Sequence, residues 1–203
     1  MKITVFSDCH WHSPTPINIE PELGFDVFYI GDNHEFKNIP REKINEYRDQ
    51  YLKFLNKCAT TGTKILNGNH EVNIGYKYNN IEVLYTKDKS TALVHFHRES
   101  WSENMVRKWH TKKAGVSKVM IAFIKIKNLI TNKMGATKLK NKQIVLCHMI
   151  AKKYNVKNIV FGHTHPKHLI IEKHDGITMI NVPRGKTILY CDTLGCSDEK
   201  KNI

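Results

Sequence analysis

Apolar residues in this chain gather in short runs that stop abruptly at a glycine or a polar cluster. Residues 3–6, 25–30 and 64–66 read as short strands of this kind. Residues 81–85 and 92–96 predict two more, joined through the polar Thr86-Lys87-Asp88-Lys89-Ser90. The triplet 159–161 is another. Residues 169–172 and 177–182 then read as a hairpin around Asp175-Gly176, followed by a strand over 186–190.

Helical spacing takes over between these runs. Ile44, Tyr47, Tyr51, Phe54, Leu55 and Cys58 recur at three- and four-residue steps, which predicts a helix from 40 to about 60 with one buried stripe. Pro40 suits its start and Gly62 its stop. From Trp101 onward the pattern is helical again, over 105–109, 116–130 and about 139–154. The segment 116–130 sets Lys118, Lys125 and Lys127 among apolar residues such as Phe123 and Ile124. It reads either as a core helix whose lysines reach out to water, or as a lid that receives an acyl chain or rests on an anionic membrane.

The chemistry sits where the strands stop. Asp8 and His10 follow the first strand with one residue between them, and Gly31-Asp32-Asn33-His34-Glu35 follows the second. Asn67-Gly68-Asn69-His70-Glu71 follows the third, where Asn69 reads either as turn chemistry or as a neutral oxygen ligand. Gly162 ends the strand at 159–161, and an extended His163-Thr164-His165 would project two imidazoles from one face toward one point. Asp32, with two carboxylate oxygens, is a candidate to bridge two cations. Asp, Asn and His together suit Mn²⁺, Fe or Zn²⁺, and argue against an all-oxygen calcium site or a cysteine-rich structural zinc.

Charge narrows the partners. The formal net charge is +13, and residues 104–171 contain 15 Lys and Arg with no Asp or Glu. Such a block favours phosphate-bearing partners: a small nucleotide, a nucleic acid or an anionic membrane surface. The five cysteines show neither zinc nor disulfide spacing, and Met1-Lys2 runs directly into a strand. A reduced, cytoplasmic protein is the expectation, with peripheral contact to the inner face of a membrane as a further one.

Taken in order, Asp8-x-His10, Gly31-Asp32, Gly68-Asn69-His70-Glu71, a strand-terminal histidine and Gly162-His163-x-His165 resemble the calcineurin-like metallophosphoesterase superfamily. The resemblance implies a single domain over 1–203, built as a four-layer α/β/β/α sandwich with a basic helical insertion or lid at about 101–155. It implies two divalent metal ions, Mn²⁺ first with Fe or Zn²⁺ as alternatives. Asp8, His10 and His165 would hold one ion, and Asn69, a strand-terminal histidine and His163 the other, with Asp32 bridging. His95 is the first candidate for that histidine, His97 the second and His148 the third. The implied reaction is hydrolysis of a phosphodiester or pyrophosphate bond by a metal-activated bridging hydroxide, with His70 as general acid. Gly31-Asp32-x-x-Glu35 and the basic helical segment are similar to UDP-2,3-diacylglucosamine pyrophosphatases, which implies a UDP-linked or lipid-linked substrate. A metal-dependent nuclease using the basic helices on a phosphate backbone is the alternative expectation.

Overall fold

The computed structural model describes residues 2–12, 19–71, 83–96, 120 and 137–190. Within them, two sheets lie face to face. The first has the order β3-β2-β1-β9, from β1 (Lys2–Ser7), β2 (Val27–Ile30), β3 (Lys64–Leu66) and β9 (Gly185–Tyr190). The second has the order β4-β5-β6-β8-β7, from β4 (Leu84–Tyr85), β5 (Thr91–Val94), β6 (Asn158–Phe161), β7 (Ile170–His174) and β8 (Ile177–Asn181). β1, β2 and β3 run parallel, as do β5, β6 and β8, so each sheet gathers several C-terminal strand ends along one edge.

Strand periodicity sorts the core into layers. Ile3, Val5, Phe28 and Ile30 from the first sheet meet Leu93, Val160 and Ile180 from the second in one buried cluster between the sheets. Alternate residues face outward. Phe6, Val27 and Tyr29 pack with Phe54 of α1 (Ile44–Thr61), while Ala92, Val94, Ile159 and Phe161 pack with Leu146, Cys147 and Ile150 of α2 (Asn141–Tyr154). The order of layers is therefore helix, sheet, sheet, helix, as the motifs implied. Runs such as Val27–Ile30 and Asn158–Phe161 are buried throughout because both faces of their sheets are covered.

Several boundaries shift for local reasons. β2 begins at Val27 rather than residue 25, because Val27 N–H closes a turn onto the Gly24 carbonyl at 3.1 Å. Phe25 is left 78% exposed, with its ring over Gly62, the left-handed C-cap of α1. α1 is preceded by a 3-10 turn, Arg41–Lys43, after Pro40. β5 stops at Val94, which releases His95 from the ladder. α2 closes on Asn155 in a left-handed cap, with Lys152 and Lys153 in its last turn where they complement the helix dipole. The predicted helices over 105–109 and 116–130 lie outside the described residues, apart from Met120. No helix among those described is long and apolar enough to cross a membrane.

Phe161 is fully buried and stacks on Phe96 with ring centroids 4.0 Å apart. Phe161→Ala should cost about 3–5 kcal/mol, as large-to-small changes in a closed core do. Urea unfolding followed by circular dichroism would show it as a lower midpoint at unchanged slope.

Candidate metal centre

The β1–β2 ladder continues beyond the strands. Asp8 N–H donates to the Gly31 carbonyl at 3.0 Å, His10 N–H to Asp32 at 3.0 Å and Trp11 N–H to Asn33 at 2.8 Å. Two polar loops are thus held side by side, with the third loop joined by Phe36 N–H to the His70 carbonyl at 3.0 Å. Asp8, His10, Asp32, His163 and His165 all have positive φ, between 46° and 75°. For residues other than glycine this conformation is strained, and it persists where surrounding contacts over-determine it.

That backbone changes how His163 and His165 work. They do not continue an extended strand with both rings on one face: left-handed φ at each turns the rings apart. His165 Nε2 lies 3.0 Å from Asp8 Oδ1, and Asp8, His10 and His165 form one group of closely spaced ligand atoms. His163 joins Asp32 and His95 in a second group. Asp8 is shared by both sheets, since its Oδ2 accepts the Ser7 hydroxyl and, at 2.9 Å, the His163 N–H.

Glycines make this closeness possible. A Cβ on Gly31 would lie 2.6 Å from His95 Cγ and 2.9 Å from Gly68 Cα. One on Gly162 would lie 2.7 Å from Asp8 Oδ2 and closer still to the Ser7 hydroxyl. One on Gly68 would overlap the Asp32 carboxylate.

The histidines are oriented through their second nitrogens. His95 Nδ1 donates to the Ile30 carbonyl at 2.8 Å, which aims Nε2 at Asp32 Oδ2, 3.2 Å away. His10 Nδ1 is held by Glu35 Oε2 at 3.1 Å, and its buried Nε2 has no hydrogen-bond partner. A ring tied at one nitrogen with the other left buried and unsatisfied is the arrangement of a metal-ligating imidazole. The donor set and its spacing therefore fit divalent cations. Asn69 is buried, between Gly68, which abuts Asp32, and His70, whose N–H donates to Asp32 Oδ1 at 2.6 Å.

Glu35 and Glu71 were not among the predicted site residues, and both serve the loops. Glu71 is fully enclosed and accepts the N–H groups of Asp32, Asn33, His34 and Gly68 at 2.6–3.0 Å, clipping the second loop to the third. Burial first, then the Asp32 charge, push its carboxyl up to about 7, against the amides that favour the ionised form. Glu35 takes His10 Nδ1 and, at 2.8 Å, His70 Nδ1, along with the N–H groups of Lys37 and Asn38. His10, Glu35 and His70 also form a compact group, but these bonds already occupy the Glu35 oxygens. It acts as a support behind the ligands. The signal for both was a carboxylate beside each loop's histidine, in His34-Glu35 and His70-Glu71.

Electrostatics follow from this packing. Burial acts to raise the Asp8 and Asp32 carboxyls, but the facing histidines outweigh it and hold both below the usual range. Burial acts to lower His70, while Glu35 and Asp32 reverse the effect and leave its pKa raised. Burial lowers His163 to about 4, helped by His95. His95 itself is raised to about 9, since Asp32 and Asp8 outweigh its burial. An imidazolium there does for Asp32 what a cation would do. Arg184, which sequence reasoning missed, reaches the same edge and donates Nε–H to the Asp8 carbonyl at 3.0 Å. His148, the third candidate for the strand-terminal ligand, is on α2 with Nε2 3.6 Å from Asp175, away from both groups because its helix packs on the outer face of the second sheet. His97 lies outside the described residues.

A family model described as calcineurin-like phosphoesterase matches residues 1–167. Among solved structures, the chain is similar to a conserved predicted phosphoesterase from Streptococcus pneumoniae, at 15% identity over 93% of this chain and 83% of that one, with a TM-score of 0.36. It is also similar to a cold-active protein-tyrosine phosphatase from a Shewanella species, at 14% identity over 93% and 75%, with a TM-score of 0.42. The comparison with curated proteins gives no match.

Gly162→Ala should push Asp8 aside and weaken Mn²⁺ binding by about 10- to 100-fold, the usual loss when the support of a ligand is disturbed. Calorimetric titration checks this, with circular dichroism to show the fold retained. The raised His95 pKa sets a second expectation. Its proton must leave before Nε2 can ligate, so binding should release a proton and tighten as pH rises toward about 9. Calorimetry in buffers of different ionisation enthalpy reads that proton directly, and an affinity independent of pH would contradict it.

Proposed function

The chain belongs to the calcineurin-like phosphoesterase family, and on that premise we propose that it hydrolyses a phosphodiester or pyrophosphate bond at two adjacent divalent cations. Asp8, His10 and His165 would hold one cation and Asn69, His95 and His163 the other. The observation that carries this reading is Asp32, whose Oδ2 lies 3.2 Å from His95 Nε2 in one group and 4.0 Å from Nε2 of His70, whose ring packs on His10 of the other. A carboxylate set between the two groups suits a bridging ligand. When bound, such cations supply Lewis acidity toward phosphoryl oxygens and lower the pKa of nearby water. Manganese is the first candidate for a mixed oxygen and imidazole donor set.

The remaining chemistry falls to the chain's own groups. His70 has Nδ1 tied to Glu35 and Nε2 4.0 Å from Asp32 Oδ2. Glu35 and Asp32 raise its pKa against burial, which favours the protonated ring and suits Nε2 to offer a proton to a departing oxygen. Glu35 holds His10 and His70 through the same carboxylate, so a ligand and the acid keep a fixed separation. Their rings meet edge to face with centroids 4.6 Å apart.

For the substrate, the proposal is a UDP-linked or lipid-linked pyrophosphate, supported by Gly31-Asp32-x-x-Glu35 and by the apolar, lysine-bearing segment 116–130. The acid-free span 104–171 favours a second substrate of like chemistry, a nucleic-acid backbone. Binding to single-stranded DNA that survives moderate salt would select that substrate, and its absence would leave the small pyrophosphate.

With Mn²⁺ present, the protein should hydrolyse bis-p-nitrophenyl phosphate, and Asp32→Ala should reduce turnover to the uncatalysed rate with the fold retained. Chelation should do the same, reversibly. Full activity in the Asp32 variant would remove the bridging role.

A further inference from the structure

The turn between β8 and β9 lies beyond the residues that the family model matches, yet it closes one side of the metal centre. Its start is anchored to the two-histidine turn: the Thr164 hydroxyl donates to Asn181 Oδ1 at 2.8 Å, and Val182 N–H to the Phe161 carbonyl at 3.0 Å. Its end is anchored to β1, because the antiparallel ladder pairs Gly185 with Ser7. Arg184 and Asp8 therefore face each other one step past the ladder. Pro183 has its φ limited by its ring, and Gly185 takes a φ of 95°, so Arg184 leaves from a turn with little freedom.

Its guanidinium is half-buried and directed by the Nε–H bond to the Asp8 carbonyl. Among the described residues, the carboxylates of Asp8 and Glu35 act on its charge. A guanidinium carries five donors in a planar fork suited to two oxygens of one phosphate. Phosphoryl groups bring negative charge to a centre that already holds Asp8, Asp32 and Glu35, so a fixed cation at its edge favours their entry.

We propose that Arg184 is a substrate-contacting residue whose guanidinium binds non-bridging oxygens of the phosphoryl group held at the metal centre. This rests on the hydrolytic reading above and adds to it a residue from outside the family motifs.

The test uses the full chain loaded with Mn²⁺, with inorganic phosphate as probe and bis-p-nitrophenyl phosphate as substrate. Arg184→Ala should keep the wild-type manganese content, weaken phosphate binding about tenfold and raise KM by a similar factor, with a smaller change in kcat. Arg184→Lys should fall between, keeping the charge without the fork. Unchanged phosphate affinity in Arg184→Ala overturns the proposal and leaves hydrolysis standing. Loss of manganese in both variants also overturns it, making Arg184 a structural clamp on Asp8. If the wild type turns over no ester but Arg184→Ala still weakens phosphate binding, the subsite stands and the hydrolytic reading falls.

Discussion

Everything at this centre depends on the burial of Asp8. Its carboxylate accepts the Ser7 hydroxyl, the His163 amide and the His165 ring, and its carbonyl accepts Arg184. Residues from the first loop, the two-histidine turn and the last turn meet at this one side chain. A carboxylate without solvent is unfavourable unless such partners surround it. The need to satisfy it ties the edge of one sheet to the edge of the other, where parallel strands end and backbone groups lack ladder partners.

The two glutamates work at the next level outward. Glu71 satisfies backbone amides, while Glu35 satisfies imidazoles as well as the amides of Lys37 and Asn38. The distinction matters physically. Amide contacts fix the path of a loop, whereas contacts to Nδ1 set which ring nitrogen remains for a cation and how readily His70 holds a proton.

Most of the strand positions, and the gathering of acids and histidines at the strand ends, were legible because the same local grammar repeats: an apolar run, a glycine, then an acid or a histidine. The buried stripe of α1 was legible too, with Tyr51 and Cys58 innermost. What periodicity could not supply were the conformations after the strands. His-x-His on an extended segment implies one shared face, and the left-handed turns at His163 and His165 instead divide the pair between two groups. Arg184 was invisible for another reason. It has no motif, and its place beside Asp8 comes from a pairing between Ser7 and Gly185 at opposite ends of the chain.

The left-handed backbone also links geometry to the range of sequences this centre tolerates. Outside glycine, that region of conformational space is most accessible to asparagine, aspartate and histidine. The five positive-φ positions at the centre carry aspartate or histidine. The residues the backbone accepts are thus nearly those a cation accepts, and asparagine is the one that meets the first demand while weakening the second. An exchange of Asp or His for Asn at these positions would suit the backbone path and weaken the donor set. A descendant with the same turns and a poorer hold on cations therefore lies one codon change from this sequence.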